Sequence, residues 1–149
     1  MKTILTFCAL LTAGLGLCAG GPVKVVFDTD MFTDLDDAGA LACLHAYADA
    51  GQCEILATIA CTRGCHSVAV CEVINAFYGR PDIPVGCARH GGREGKGAEG
   101  HGLPAKYPQG VKHLVSTNAP PAVDTYLGVL RTAPDKSVVL CSVGFLNNV

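Results

Sequence analysis

Between Asp28 and Asp37 the chain carries five carboxylates in ten residues (Asp28, Asp30, Asp34, Asp36 and Asp37), with no Lys or Arg among them. Like charges this close repel, and burial at the end of a strand raises the cost of ionising each one. A hard dication removes that cost, because calcium accepts several carboxylate and carbonyl oxygens at once. Helix capping accounts for one acid of the set, Asp34 being placed to cap the helix that follows. The set as a whole is read as a calcium site. An EF-hand loop fits less well, since Thr33 replaces the glycine such a loop needs and Gly39 its terminal Glu.

Other residues capable of chemistry are weaker candidates. Cys61, Cys65 and His66 form the one plausible soft-metal cluster, and no CxxC pair supports a zinc ribbon. Cys43, Cys61, Cys71 and Cys141 lie in apolar patterns, where a small buried side chain is the plain expectation. The segment 88–110 is rich in glycine and reads as a surface loop, with the composition of an active-site lid. It is not a phosphate-binding loop: Lys96 is followed by Gly97 rather than Ser or Thr, and His90 stands where the first glycine belongs. His45 is expected on a helix face as a partly exposed structural residue, and His101 in a solvated loop.

The acids need a scaffold, and the flanking sequence supplies one. Val23 to Phe27, Ile55 to Cys61 and Val138 to Val143 are near-continuous apolar runs, with a shorter one at Ile83 to Val85. Such runs fit strands covered on both faces. Ala38, Leu41, Leu44, His45 and Ala48 recur at helical spacing before Gly51, as do Val70, Ile74, Phe77 and Tyr78 before Gly79 and Pro81. Ala122 to Leu130, opened by Pro120-Pro121, is a third helical segment. Strand and helix in alternation predict an α/β domain with a mainly parallel, Rossmann-like sheet flanked by helices. Ligands of such sheets bind beyond the carboxyl ends of the strands, where the aspartate cluster falls.

Composition bounds the rest. The chain has 149 residues, half of them apolar and 16% charged, which suits one packed domain. A net charge of −2 gives no footprint for nucleic acid. Lys2, the apolar stretch Ile4 to Leu17 and the small residues Ala19, Gly20 and Gly21 form a secretory signal pattern over residues 1–20. That stretch is short for a span of about 20 apolar residues, so the expected product is exported, periplasmic or secreted, without a membrane anchor. Residues 21–149 are the remaining domain. Seven cysteines stay with it, an odd number, so at least one has no partner within the chain. Ending in a turn after Val143, the sequence reads as the N-terminal portion of a longer domain.

The order of motifs adds a family expectation. Val25-Val26-Phe27-Asp28-Thr29-Asp30 followed by Asp36-Asp37-Ala38 resembles the opening strand and helix of the inosine–uridine-preferring nucleoside hydrolases. Phe77 to Gly86 resembles that family's second helix running into its third strand, and Ser142 to Asn148 resembles its Thr-Gly-Pro-Leu-Thr-Asn turn. The resemblance covers roughly residues 23–149. It implies hydrolysis of the N-glycosidic bond of a nucleoside or related glycoside by a calcium-bound water. Asp30 would be metal ligand and catalytic base, Asp37 a second ligand, and Val143 a third through its backbone carbonyl. Asp36 would bind a ribose hydroxyl, and Asp28 would support the site from behind. The small-molecule substrate is the expected partner, and a homo-oligomer is compatible with the sequence.

Three departures stand out. Met31 to Leu35 makes the acidic loop two residues longer than the family pattern. Thr62-Arg63-Gly64 occupies the region of a sugar-contacting Asn. The family's C-terminal His-Asp pair does not occur within residue 149, so the chain alone is expected to be inactive. Two rivals follow. One is a non-catalytic sugar- or nucleoside-binding protein of the same fold. The other is a haloacid dehalogenase-like phosphatase, which would use magnesium and whose Asp-x-Asp-x-Thr is broken here by Phe32, with Thr33 one position late.

Overall fold

The computed structural model describes residues 21–31, 35–63, 66–91 and 102–149. Its element order is β1 (Val23–Thr29), α1 (Asp36–Asp49), β2 (Cys53–Ala60), α2 (Ser67–Phe77), β3 (Val85–Cys87), α3 (Leu103–Lys106), α4 (Ala122–Leu130) and β4 (Val138–Ser142). All strand pairs are parallel, and the order across the sheet is β3-β2-β1-β4. The expected α/β, Rossmann-like arrangement is therefore present. The chain moves outward from β1 to β2 to β3, then returns through α4 to pair β4 with the other side of β1. The reversal makes the carboxyl ends of β1 and β4 a topological switch point, where open α/β sheets leave a crevice.

Alternation along β1 divides its side chains between two layers. Phe27 packs with Leu41 of α1 and Val70, Cys71 and Ile74 of α2. Val26 packs with Ala57 and Ile59 of β2 and Ala122 and Tyr126 of α4 on the opposite face. Burying a side chain of this size fully contributes about 1.5–3 kcal/mol, so β1 is anchored from both sides. A register shift at Val25/Val26 places Leu56 as the extra residue of β2.

Where sequence and structure differ, the causes are local. The third strand lies at Val85–Cys87 rather than Ile83–Val85, because Pro84 lacks an amide hydrogen and enters the ladder only as acceptor for the Thr58 N–H. The edge strand β4 is not covered on both faces: Val139 is 50% and Leu140 39% exposed. His45, expected at a partly exposed position, is fully buried. Its ring stacks on Tyr78 with centroids 4.6 Å apart, its Nε2 meets Asn75 Oδ1 at 2.9 Å, and its Nδ1 meets the Arg80 guanidinium at 3.4 Å. Asn75 donates its own amide to Thr58 Oγ1, which leaves Oδ1 as acceptor and makes Nε2 the protonated ring nitrogen.

Of the cysteines expected to be small buried residues, Cys61 and Cys71 are buried, Cys141 is half-buried and Cys43 is exposed. Cys43, Cys53, Cys61 and Cys141 are free thiols. No described helix is long and apolar enough to cross a membrane. The signal pattern at 1–20, Asp34, Cys65 with the soft-metal cluster it would complete, and His101 with most of the glycine-rich stretch lie outside the described residues.

Candidate functional site at the switch point

The last residues of β1 present their side chains to opposite faces of the sheet. Asp28, on the α4 face, is fully buried and accepts hydrogen bonds on Oδ2 from Tyr126 Oη at 2.6 Å and Asn148 Nδ2 at 3.1 Å. Thr29, on the α1 face, donates Oγ1–H to Asp37 Oδ1 at 2.5 Å and accepts the Met31 amide at 3.1 Å. That hydroxyl ties the first helical turn of α1 to the end of β1. Leu35 is the N-cap of α1 and makes no side-chain cap, with Asp36 and Asp37 in the first turn where the helix dipole favours negative charge. Asp37 is buried and Asp36 is exposed.

The turn after β4 closes the site from the other strand. The Val143 amide donates to the Asp28 carbonyl at 2.9 Å, and Gly144 lies directly against Asp30. A β-carbon added to Gly144 would stand 2.5 Å from the Asp30 amide nitrogen, 2.7 Å from Cys61 Sγ and 2.9 Å from Asp30 Oδ1. Only glycine allows the two strand ends this close. Asn147 then bridges neighbouring loops, its amide donating to the carbonyls of Cys61 at 3.4 Å and His90 at 3.1 Å.

Electrostatics follow from this packing. Burial pushes the Asp28 carboxyl above its ordinary range, against the lowering effect of its donors Tyr126, Asn148 and the Cys61 thiol, while the Asp30 charge adds to the rise. The Cys61 thiol is pushed up to about 12, first by burial and then by Asp28. It is therefore a neutral thiol rather than a nucleophile. Tyr126 is raised for the same two reasons and stays a hydrogen-bond donor.

Of the residues expected at the site, Asp28, Asp30 and the Val143–Gly144 peptide come together across β1 and β4, and Asp37 is joined to them through Thr29. Asp36 sits one residue away on the solvent side of α1. Arg63, in the region where a sugar-contacting Asn was sought, turns its Nε to the Gly91 carbonyl at 2.9 Å. Three contributors escaped the sequence reading: Thr29, Tyr126 and Asn148. Tyr126 gave no signal beyond its place in an apolar helix, since its partner is 98 residues away. An apolar cleft among the described residues, lined by Ala42, Val73, Phe77 and Tyr107 among others, contains none of the aspartate cluster.

Among the described residues no three His, Cys, Asp or Glu side chains form a ready cluster for a metal ion. The ligand set at issue does not require one: it comprises two carboxylates, Asp30 and Asp37, and a main-chain carbonyl, Val143. All are hard oxygen donors of the kind calcium takes. Asp28 Oδ1, fully buried beside this set, has no hydrogen-bond partner. The donor chemistry fits a hard dication. Comparison of the chain with known protein families, curated proteins and solved structures gives no match.

Proposed function

We propose that this chain carries the metal- and ribose-binding site of an N-glycosidase that hydrolyses ribonucleosides. The observation that carries the reading is the convergence of Asp28, Asp30 and the Val143–Gly144 turn at the β1/β4 switch point, with Asp37 tethered there by Thr29. Calcium, when bound by Asp30, Asp37 and the Val143 carbonyl, supplies a lowered pKa for an attacking water and a charge to orient the sugar diol. Asp30 takes the proton of that water, a role that typically contributes about 10²–10⁴-fold. Asp36, exposed on the first turn of α1, accepts a hydrogen bond from a ribose hydroxyl. The anionic surroundings favour the oxocarbenium-like sugar formed as the glycosidic bond breaks. Asp28 holds the end of β1 in place.

Binding without catalysis is the second reading, favoured by the engagement of Arg63 with the Gly91 carbonyl in the region of the sugar-contacting Asn. Titration calorimetry of the chain with calcium, then with ribose and inosine in its presence, tests the first step. Calcium-dependent ribose binding supports the site. Binding of neither metal nor sugar overturns it. Release of free ribose from inosine or uridine in the presence of calcium separates enzyme from binding protein.

A further inference from the structure

Two buried side-chain oxygens among the described residues lack any hydrogen-bond partner, Asp28 Oδ1 and Ser142 Oγ. They are not scattered. Asp28 and Ser142 are register partners on the adjacent parallel strands β1 and β4, so their side chains leave the same face of the sheet. Folded proteins pair buried polar groups almost without exception, and an orphan marks strain, an ion or an ordered water. Two orphans on one cross-strand pair, at the switch point, mark a common occupant. Asp28 is also held for that purpose: Tyr126 and Asn148 both bind its Oδ2, fixing the carboxylate with Oδ1 turned from them. The Cys61 thiol beside it is a weak donor.

Charge decides what the occupant is. Asp28 is a fully buried carboxylate, and a second, Asp30, follows two residues on. The ion pairs of the described residues, Arg80–Asp49, Lys112–Asp82 and His113–Glu72, lie elsewhere. A water would satisfy the lone pairs and leave a buried carboxylate with no positive charge beside it. A divalent cation satisfies both.

We propose that Asp28 Oδ1 and Ser142 Oγ are direct oxygen ligands of the divalent cation, so that β4 contributes a side chain to the metal and Asp28 is a ligand rather than a support. The inference rests on the cation reading above and adds to its ligand set. It makes Tyr126 and Asn148 positioning residues, which act on the metal through Asp28.

Calcium chloride alone, titrated calorimetrically into the intact chain, tests it, with thermal unfolding measured in EDTA and in calcium. Ser142→Ala should weaken calcium binding by about tenfold or more, the scale on which loss of a supporting group alters metal sites. Its melting temperature in EDTA should equal or exceed wild type, because the substitution removes an unpaired hydroxyl, while the rise brought by calcium shrinks. Asp28→Asn should lose calcium binding, and Tyr126→Phe should fall between. Equal calcium affinity in wild type and Ser142→Ala, with loss in Asp37→Asn, overturns this ligand assignment and leaves the Asp30–Asp37 site standing. No calcium binding by folded wild type overturns both.

Discussion

Gly144 offers the most exacting check on how β1 and β4 meet. Replacing it with Ala puts a methyl 2.5 Å from the Asp30 amide nitrogen and 2.7 Å from Cys61 Sγ. Neither neighbour can yield cheaply: the amide belongs to the backbone just past β1, and Cys61 is fully buried. The turn must then retreat by roughly 1 Å to reach ordinary contact distance, straining the Val143 amide bond to the Asp28 carbonyl. Overpacking of this kind costs about 1–3 kcal/mol, and weakening one main-chain hydrogen bond adds about 0.5–1.5 kcal/mol. A loss of about 2–3 kcal/mol is expected, read as a urea midpoint lowered by roughly 1–2 M at the slope usual for a small domain. Gly39→Ala is the matched control. A methyl there meets nothing within 4 Å, and Gly39 lies inside α1, so stability should rise by about 0.5–1 kcal/mol. A Gly144→Ala chain within about 0.5 kcal/mol of wild type would refute the close approach and the geometry built on it.

Three further outcomes follow from the same contacts. His45 is held below its ordinary pKa of 6.5, mainly by burial and then by Arg80, against the raising effects of Asn75 and Asp49. Above 6.5 it is neutral folded and unfolded; as pH falls below 6.5 the unfolded chain takes up the proton first, so stability is lost toward acid. Between pH 7 and 5.5 this linkage has a ceiling of about 1.2 kcal/mol, and urea denaturation of His45→Gln should lack that component; equal acid sensitivity would remove His45 as its source. Thr29→Val keeps the buried shape but strips the donor to Asp37 and the acceptor for Met31, and should cost about 1–3 kcal/mol with weakened calcium affinity. Wild-type affinity in that variant would mean Asp37 does not depend on Thr29. Gly86→Ala meets Thr125 Oγ1 at 2.6 Å and should destabilise the β3–α4 contact by about 1–3 kcal/mol, whereas the double variant with Thr125→Ser, which still carries the hydroxyl, should regain little.

Much of the scaffold was legible because its signals are local. Apolar runs marked β1, β2 and β4, and the spacing of Leu41, Leu44 and Ala48 marked α1. The acids at the end of β1 could be assigned to the ligand end of the sheet before its strand order was known. What stayed hidden depends on pairs distant in sequence. Nothing in residues 23–37 shows that β4 lies beside β1, or that Tyr126 reaches Asp28 through the sheet's far layer. Likewise His45 looked like a helix-surface residue, because Asn75 and Arg80, which bury and bind it, come from α2 and the loop after it. Thr29 carries no signal in the sequence beyond its place between two aspartates, although strand alternation alone sends it to the face where α1 begins.

A cation at the end of β1 is the feature on which the proposed chemistry depends. A crystal structure of the chain grown in millimolar calcium measures that directly. An ion with oxygen contacts of about 2.3–2.6 Å from the Asp30 and Asp37 carboxylates and the Val143 carbonyl is expected. A well-ordered site in which ordinary water lies against those atoms, with Asp37 engaged only by Thr29, would contradict it.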